Sequence, residues 1–344
     1  MSEIVNRSQN MDTSKTSTGQ TGKRRITLLV LLIALVVLAT CSLYIGALSL
    51  STDEIWAALV GGGDHDFVIN HYRLPRMVLA MLVGAGLGLS GALVQGVIRN
   101  PLASPDLMGI SAGAGLAATS LLVIFPAAPV YWLPVAAVIG GFSAAFCIYL
   151  AAAAIKPTPA RLALLGIAIS AFISSGIDFL LIVHPVEINT AMVWLTGSLW
   201  GRNWEQVPFI FVTLLVLIPL AFWLAWRLDV MALGEQTATA LGVSVGRTQM
   251  LALLTAVMLA SISVSVSGTI SFVGLLAPHL ARLLVGSQHR WLLPVAASCG
   301  ALLVLVADIL ARGIQPPLEL PAGVLTSLIG APYFIFLLSR YKGW

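Results

Sequence analysis

Residues 207–226 read VPFIFVTLLVLIPLAFWLAW, and residues 227–247 read RLDVMALGEQTATALGVSVGR. The first stretch is twenty residues without a charge, long enough for a helix to cross the hydrocarbon core of a bilayer. The second opens and closes on arginine and carries Asp229, Glu235 and the glycines 234, 242 and 246. An uncharged span running into a glycine-punctuated polar loop is the signature of an all-α membrane protein, because in lipid every backbone polar group must be satisfied within its own helix. Inside the loop, the pattern predicts a short amphipathic helix capped by Asp229 and stopped at Gly242. Apolar Leu233, Ala240 and Leu241 alternate with polar Glu235, Gln236 and Thr239. Two glycine stops around so short an element suit a piece that wedges into a partner protein.

Outward from this pair, nine further apolar segments give about ten spans: 26–48, 77–98, 107–124, 132–155, 162–182, 207–226, 248–267, 269–285, 292–311 and 321–339. Phe125-Pro126-Ala127-Ala128-Pro129 splits one long apolar run, and Ser267-Gly268 splits another. An even number of spans puts both termini on the side of the 227–247 loop. With that side cytoplasmic, fourteen Lys and Arg residues lie inside and only Arg73, Arg76, Arg202 and Arg312 lie outside. The excess agrees with the positive-inside rule. The four outer arginines run against it, and Arg73-Leu74-Pro75-Arg76 reads as a docking surface for acidic partner residues.

Composition agrees. Apolar residues make up 58% and charged residues 9% of the 344-residue chain, and the mean hydropathy is +0.97. A soluble domain carries about 25% charged residues, so no separate water-soluble domain fits. The exception is 1–25, a Ser/Thr/Gln/Asn-rich stretch read as a disordered cytoplasmic tail before a permease domain over 26–344. The uncharged run after Arg25 is too long for a signal peptide's apolar region. Cys41, Cys147 and Cys299 fall within apolar runs at no metal-ligand spacing.

Arg99-Asn100-Pro101-Leu102-Ala103-Ser104-Pro105-Asp106 forms a stiff turn between two glycine-rich helices. It reads as a connector or a gate lip. Residues 183–206, with Trp194, Trp200 and Trp204, suit an interface belt with a half-helix over Ile188–Leu199. Asp178, Asp308 and Glu319 stand near span ends, and no Asp, Glu or Lys is placed at mid-bilayer. That counts against an ion-coupled carrier. Gly19-Gln20-Thr21-Gly22-Lys23-Arg24 lacks the spacing of a phosphate-binding loop, so active transport would need another chain to hydrolyse ATP. His184, His279 and His289 are scattered, and no catalytic or metal constellation is visible.

Six segments in order carry a family likeness: Arg73–Arg76; Asn100-Pro101-Leu102-Ala103; Leu233-Gly234-Glu235 to Leu241-Gly242-Val243; Pro278-His279; Ala307-Asp308-Ile309-Leu310-Ala311-Arg312; and Glu319-Leu320-Pro321-Ala322-Gly323-Val324. Together they resemble the FecCD permeases, membrane subunits of type II ABC importers for ferric siderophores, haem and vitamin B12. The likeness covers about residues 27–340. Trp194–Arg202 looks most like the ferric-citrate and catecholate permeases. The resemblance implies a vitamin B12 permease-like fold with inverted repeats and a multi-pass protein of the bacterial inner membrane. It implies two permease subunits, alike or identical, with two cytoplasmic ABC ATPases and a periplasmic or lipoprotein binding protein. Lipid is the remaining partner, and nucleic acid is none. ATP belongs to the partner ATPase, and no cofactor or metal is expected on this chain. By resemblance, Arg73, Arg76 and Arg312 dock the binding protein. Leu233, Gly234, Glu235, Ala238, Leu241 and Gly242 form the ATPase coupling loop. Asn100 and Leu102 form one cytoplasmic gate, and Pro159 and Ala160 the second. The vitamin B12 permease has small hydroxyl residues at that second gate.

Overall fold

The computed structural model describes residues 2–129, 131–155 and 159–340. Among them there are only helices and turns: α1 (Ser2–Tyr44), α2 (Thr52–Leu59), a π-helical turn (Val68–Arg73), α3 (Leu74–Ile98), a 3-10 turn (Asp106–Met108), α4 (Ile110–Ile124), α5 (Trp132–Ile155), α6 (Pro159–Val183), α7 (Ile188–Leu195), α8 (Val207–Met231), α9 (Glu235–Ala240), α10 (Val245–Ser267), α11 (Val273–Val285), α12 (His289–Gly313) and α13 (Ala322–Arg340).

Each of the ten expected spans falls on one of these helices. Seven are long and apolar enough to cross a membrane, while α4, α11 and α13 contribute shorter apolar helices. α4 and α11 start later than expected because glycine-rich turns precede them. Gly109 caps α4 at φ 66°, and the chain reaches α11 through Gly268 at φ 71°. At the N-terminus, α1 runs from Ser2 to Tyr44. No proline interrupts residues 2–44, and extending a formed helix costs far less than nucleating one.

Burial separates the helices into two rings. α3, with the turn before it, and α10 are each 72% buried over their most apolar windows, and α12 is 67% buried. For α1, α6 and α8 the values are 11%, 17% and 22%. The inner helices pack through small residues, since lipid offers no hydrophobic gain for helix association and close backbone contact must supply it. A Cβ on Gly84 would overlap the Gly300 carbonyl, and one on Gly300 would overlap the Gly84 carbonyl, so α3 and α12 meet backbone to backbone. Ser90 Oγ on α3 donates to the Ala256 carbonyl of α10 at 2.7 Å. Gly86 lies against Ser263 and Ser90 against Ala256, so α3 and α10 run antiparallel.

The same order of helices occurs twice in opposite directions. α3, α4, α5 and α6 run long, short, long, long; α10, α11, α12 and α13 begin in the same way. α3 packs on α12 as α10 packs on α5, and α4 on α5 as α11 on α12. These are inverted repeats, with α1 and α8 outside them.

Candidate functional site

At one end of the bundle, α8 runs past Arg227 to Met231 and a turn leads into α9. Asp229 is therefore inside α8, and the residue before α9 is Gly234, at φ 110°. A residue with a Cβ is strained there, which is why the sequence signal for a cap at Asp229 misplaced the start of the helix. Gly242, at φ 82°, reverses the chain after α9. Ala238 is fully buried in the main hydrophobic core, which seats the short helix on the bundle, and the Val243 amide donates to its carbonyl at 2.9 Å, closing the turn after α9. Leu233 and Leu241 are left 67% and 56% exposed. The two leucines are held outward on a braced, glycine-flanked turn.

The Asn100 turn stands beside α9. Arg99 closes α3 in the left-handed conformation, φ 54°, and its guanidinium lies 3.9 Å from the Glu235 carboxylate. Asn100 Oδ1 accepts from the Leu102 amide at 2.9 Å, an Asx turn that stiffens the lip. Asn100 and Leu102 are both half-buried. The structure thus brings the expected coupling loop and the first expected gate together. Pro159 and Ala160 stand in the first turn of α6, but their side chains lie outside the described residues.

The three arginines expected to face a binding protein lie at the other end, and they are not exposed. Arg73, Arg76 and Arg312 are 5%, 7% and 4% exposed. Asp308, which the sequence places near a span end, is fully buried between two of them. Arg76 Nε donates to Asp308 Oδ1 at 2.8 Å, and its Nη1 to Glu319 Oε2 at 2.6 Å. Arg312 Nε stands 3.2 Å from Asp308 Oδ2, an ion pair without the alignment of a hydrogen bond. Arg76 and Arg312 meet the two carboxylates, and the C-terminal end of α1 takes the donors of Arg73 and the remaining donors of Arg312. Arg73 donates to the carbonyls of Leu43, Tyr44 and Leu48. Arg312 donates to the Ile45 carbonyl at 3.0 Å and to Ser42 Oγ at 2.7 Å. The last carbonyls of a helix carry partial negative charge and lack intrahelical donors, so cations settle there. The guanidiniums that were read as a docking patch are thus occupied in tying α1, α3, α12 and the loop at Glu319 to one another.

Sequence reasoning missed a further pair. His289, at the start of α12, donates its backbone amide to Asp229 Oδ1 at 2.9 Å, and its ring Nδ1 lies 2.6 Å from the same oxygen. No local pattern marks two residues joined across three intervening helices.

The exposed, glycine-flanked α9 turn and the stiff Asn100 turn thus stand side by side at one end of paired helical repeats. The profile of the FecCD transport family matches residues 31–340. The chain belongs to that family. It is a multi-pass membrane protein and a permease subunit of an ABC transporter. Among its relatives is the Fe(3+)-citrate import system permease protein YfmE of Bacillus subtilis, 47% identical, with 94% of this chain and 98% of the relative covered. The Fe(3+) dicitrate transport system permease protein FecD of Escherichia coli is 45% identical, covering 90% of this chain and 97% of its own length. A solved structure described as a metal-chelate type ABC transporter in an inward-facing conformation superposes with a TM-score of 0.81 at 35% identity, covering 91% of this chain and 99% of the other.

Proposed function

We propose that this FecCD-family permease carries a ferric chelate, of the citrate or siderophore type, across the bacterial inner membrane, driven by ATP that a separate cytoplasmic ABC ATPase dimer hydrolyses. The observation that carries the mechanism is α9, a braced and glycine-flanked helix with Leu233 and Leu241 outward and Glu235 beside the Asn100 turn. When the ATPases close, they push on α9 through these leucines. The movement reaches the Asn100–Leu102 lip directly, since α9 and the lip share the Arg99–Glu235 contact, and the pathway changes the side to which it is open. The second lip, at Pro159 and Ala160, completes the gate.

In this reading the chain crosses the membrane ten times with both termini cytoplasmic. It binds no cofactor of its own and pairs with a second permease, alike or identical. A periplasmic or lipoprotein binding protein docks at the arginine end. Arg73, Arg76 and Arg312 serve that docking by holding the loops in shape, because their guanidiniums are already satisfied within the subunit.

Uptake of radiolabelled ferric citrate, a ferric hydroxamate, haem and cobalamin by cells lacking this chain, with and without a restored copy, tests the cargo. Restored uptake of a ferric chelate alone is expected. Restoration of haem or cobalamin uptake instead would overturn the iron assignment and keep the permease.

A further inference from the structure

The coupling helix has to move the inner helices to work, yet α9 itself rests on few residues. One polar link at its root reaches the bundle's core. Asp229 stands two residues before the end of α8, and α9 starts four residues after that end. The Asp229 carboxylate meets both the backbone amide and the ring Nδ1 of His289 through one oxygen. His289 is the first residue of α12, and the residue before it, Gln288, makes no side-chain cap. A carboxylate on α8 therefore caps the N-terminus of α12 from another helix, where the amide groups are unsatisfied and the dipole favours an anion.

His289 is 5% exposed, and its ring is seated against α3. A side chain at Gly96 would collide with His289 Nε2, and that nitrogen has no hydrogen-bond partner among the described residues. The imidazole is thus wedged between the last turns of α3 and α8, with Nδ1 bound and Nε2 against bare backbone. α3 and α12 in turn meet backbone to backbone at Gly84 and Gly300, and their far ends are joined by Arg76, Asp308 and Arg312. Packed so closely, the two helices can only move together.

We propose that Asp229 and His289 are positioning residues that transmit movement of the coupling helix to the α3–α12 pair. The link rests on the assignment of α9 as the coupling element. Its chemistry is a hydrogen-bonded wedge, and it depends on acceptor geometry more than on net charge.

The test uses the assembled transporter, with its ATPases and binding protein, in proteoliposomes. The readout is ferric chelate transported per ATP hydrolysed. His289→Ala and Asp229→Ala each lower that ratio about five- to tenfold with ATP hydrolysis retained, the range expected when a coupling contact is lost. The double variant is no worse than either single one, because both remove the same contact. His289→Asn, whose amide replaces the Nδ1 donor, restores the ratio to near the parent value. Asp229→Asn, which keeps the acceptor oxygen without the charge, also stays near the parent. An unchanged ratio in both alanine variants overturns the proposal, as does additive loss in the double variant. If the alanine variants fail to assemble, Asp229→Asn and His289→Asn decide, and a collapsed ratio in either one overturns it. Failure of the α9 assignment shows separately, as normal coupling in a Leu233→Asp, Leu241→Asp variant.

Discussion

The two ends of this bundle use their residues in opposite ways. The arginine end gathers Arg73, Arg76, Arg312 and Asp308 in its interior, with Glu319 a quarter exposed beside them; at the other end Leu233 and Leu241 of the α9 turn stand exposed. Charge at the first end is a structural material, and at the second the apolar side chains of the turn are the ones left uncovered. An ion pair taken out of water gains Coulomb energy only with close partners and satisfied hydrogen bonds, so buried arginines commit their neighbours to one arrangement. An exposed leucine on a glycine-flanked turn commits nothing until something covers it. The first end is accordingly fixed by its contacts, and the turn at the second leaves its two leucines uncommitted.

Removal of the central anion breaks this contrast most severely if it is false. Asp308→Ala leaves Arg76 and Arg312 facing one another without their shared carboxylate. A loss of about 3–5 kcal/mol is expected, the range for breaking a buried pair from one side. It reads as a large fall in the melting temperature of the purified subunit. A variant that melts like the parent but loses binding-protein affinity would return the arginines to a docking role.

At the other end, Leu233→Asp with Leu241→Asp abolishes uptake and ATPase association while the melting temperature stays within the change expected of exposed substitutions, about 0.5 kcal/mol. Pull-down of the ATPase alongside thermal melting separates the two effects. Full uptake by this variant would show that the exposed leucines contact lipid alone.

Smaller effects sharpen the comparison. Arg73→Ala removes donors from the end of α1 and touches no carboxylate, so a loss of about 1–2 kcal/mol is expected, the upper range for a cation at a helix C-terminus. A loss as large as that of Asp308→Ala would mean that Arg73 belongs to the ionic cluster itself. Smallest is Arg99→Ala. Its partner Glu235 lies 3.9 Å away, and the two side chains are 36% and 64% exposed, so stability changes by about 0–1 kcal/mol. A larger change in melting would show that the gate lip and α9 are joined more firmly than this distance allows.

Much of this was written locally in the chain. Hydropathy located all ten segments, since a span is a run of neighbours and needs no knowledge of the fold. Glycines 234 and 242 announced a chain reversal on each side of a short element, and the structure has both. Asp229 shows the limit of such reading. An Asp ahead of a short amphipathic stretch has the pattern of an N-cap, but it lies within α8 and caps α12 instead.

The sequence by itself determined the helices, the loop that interrupts them and the opposite placement of that loop and the arginines, because these depend on residues within a turn or a span of one another. Only the tertiary structure decided what the arginines do. Arg76 and Asp308 are 232 residues apart and Arg312 and Ser42 are 270 apart, and a charge declares itself buried or exposed only when distant segments close over it. The same holds for Asp229 and His289. Their partnership exists because α8 ends beside the start of α12, a fact of packing that no window of sequence contains.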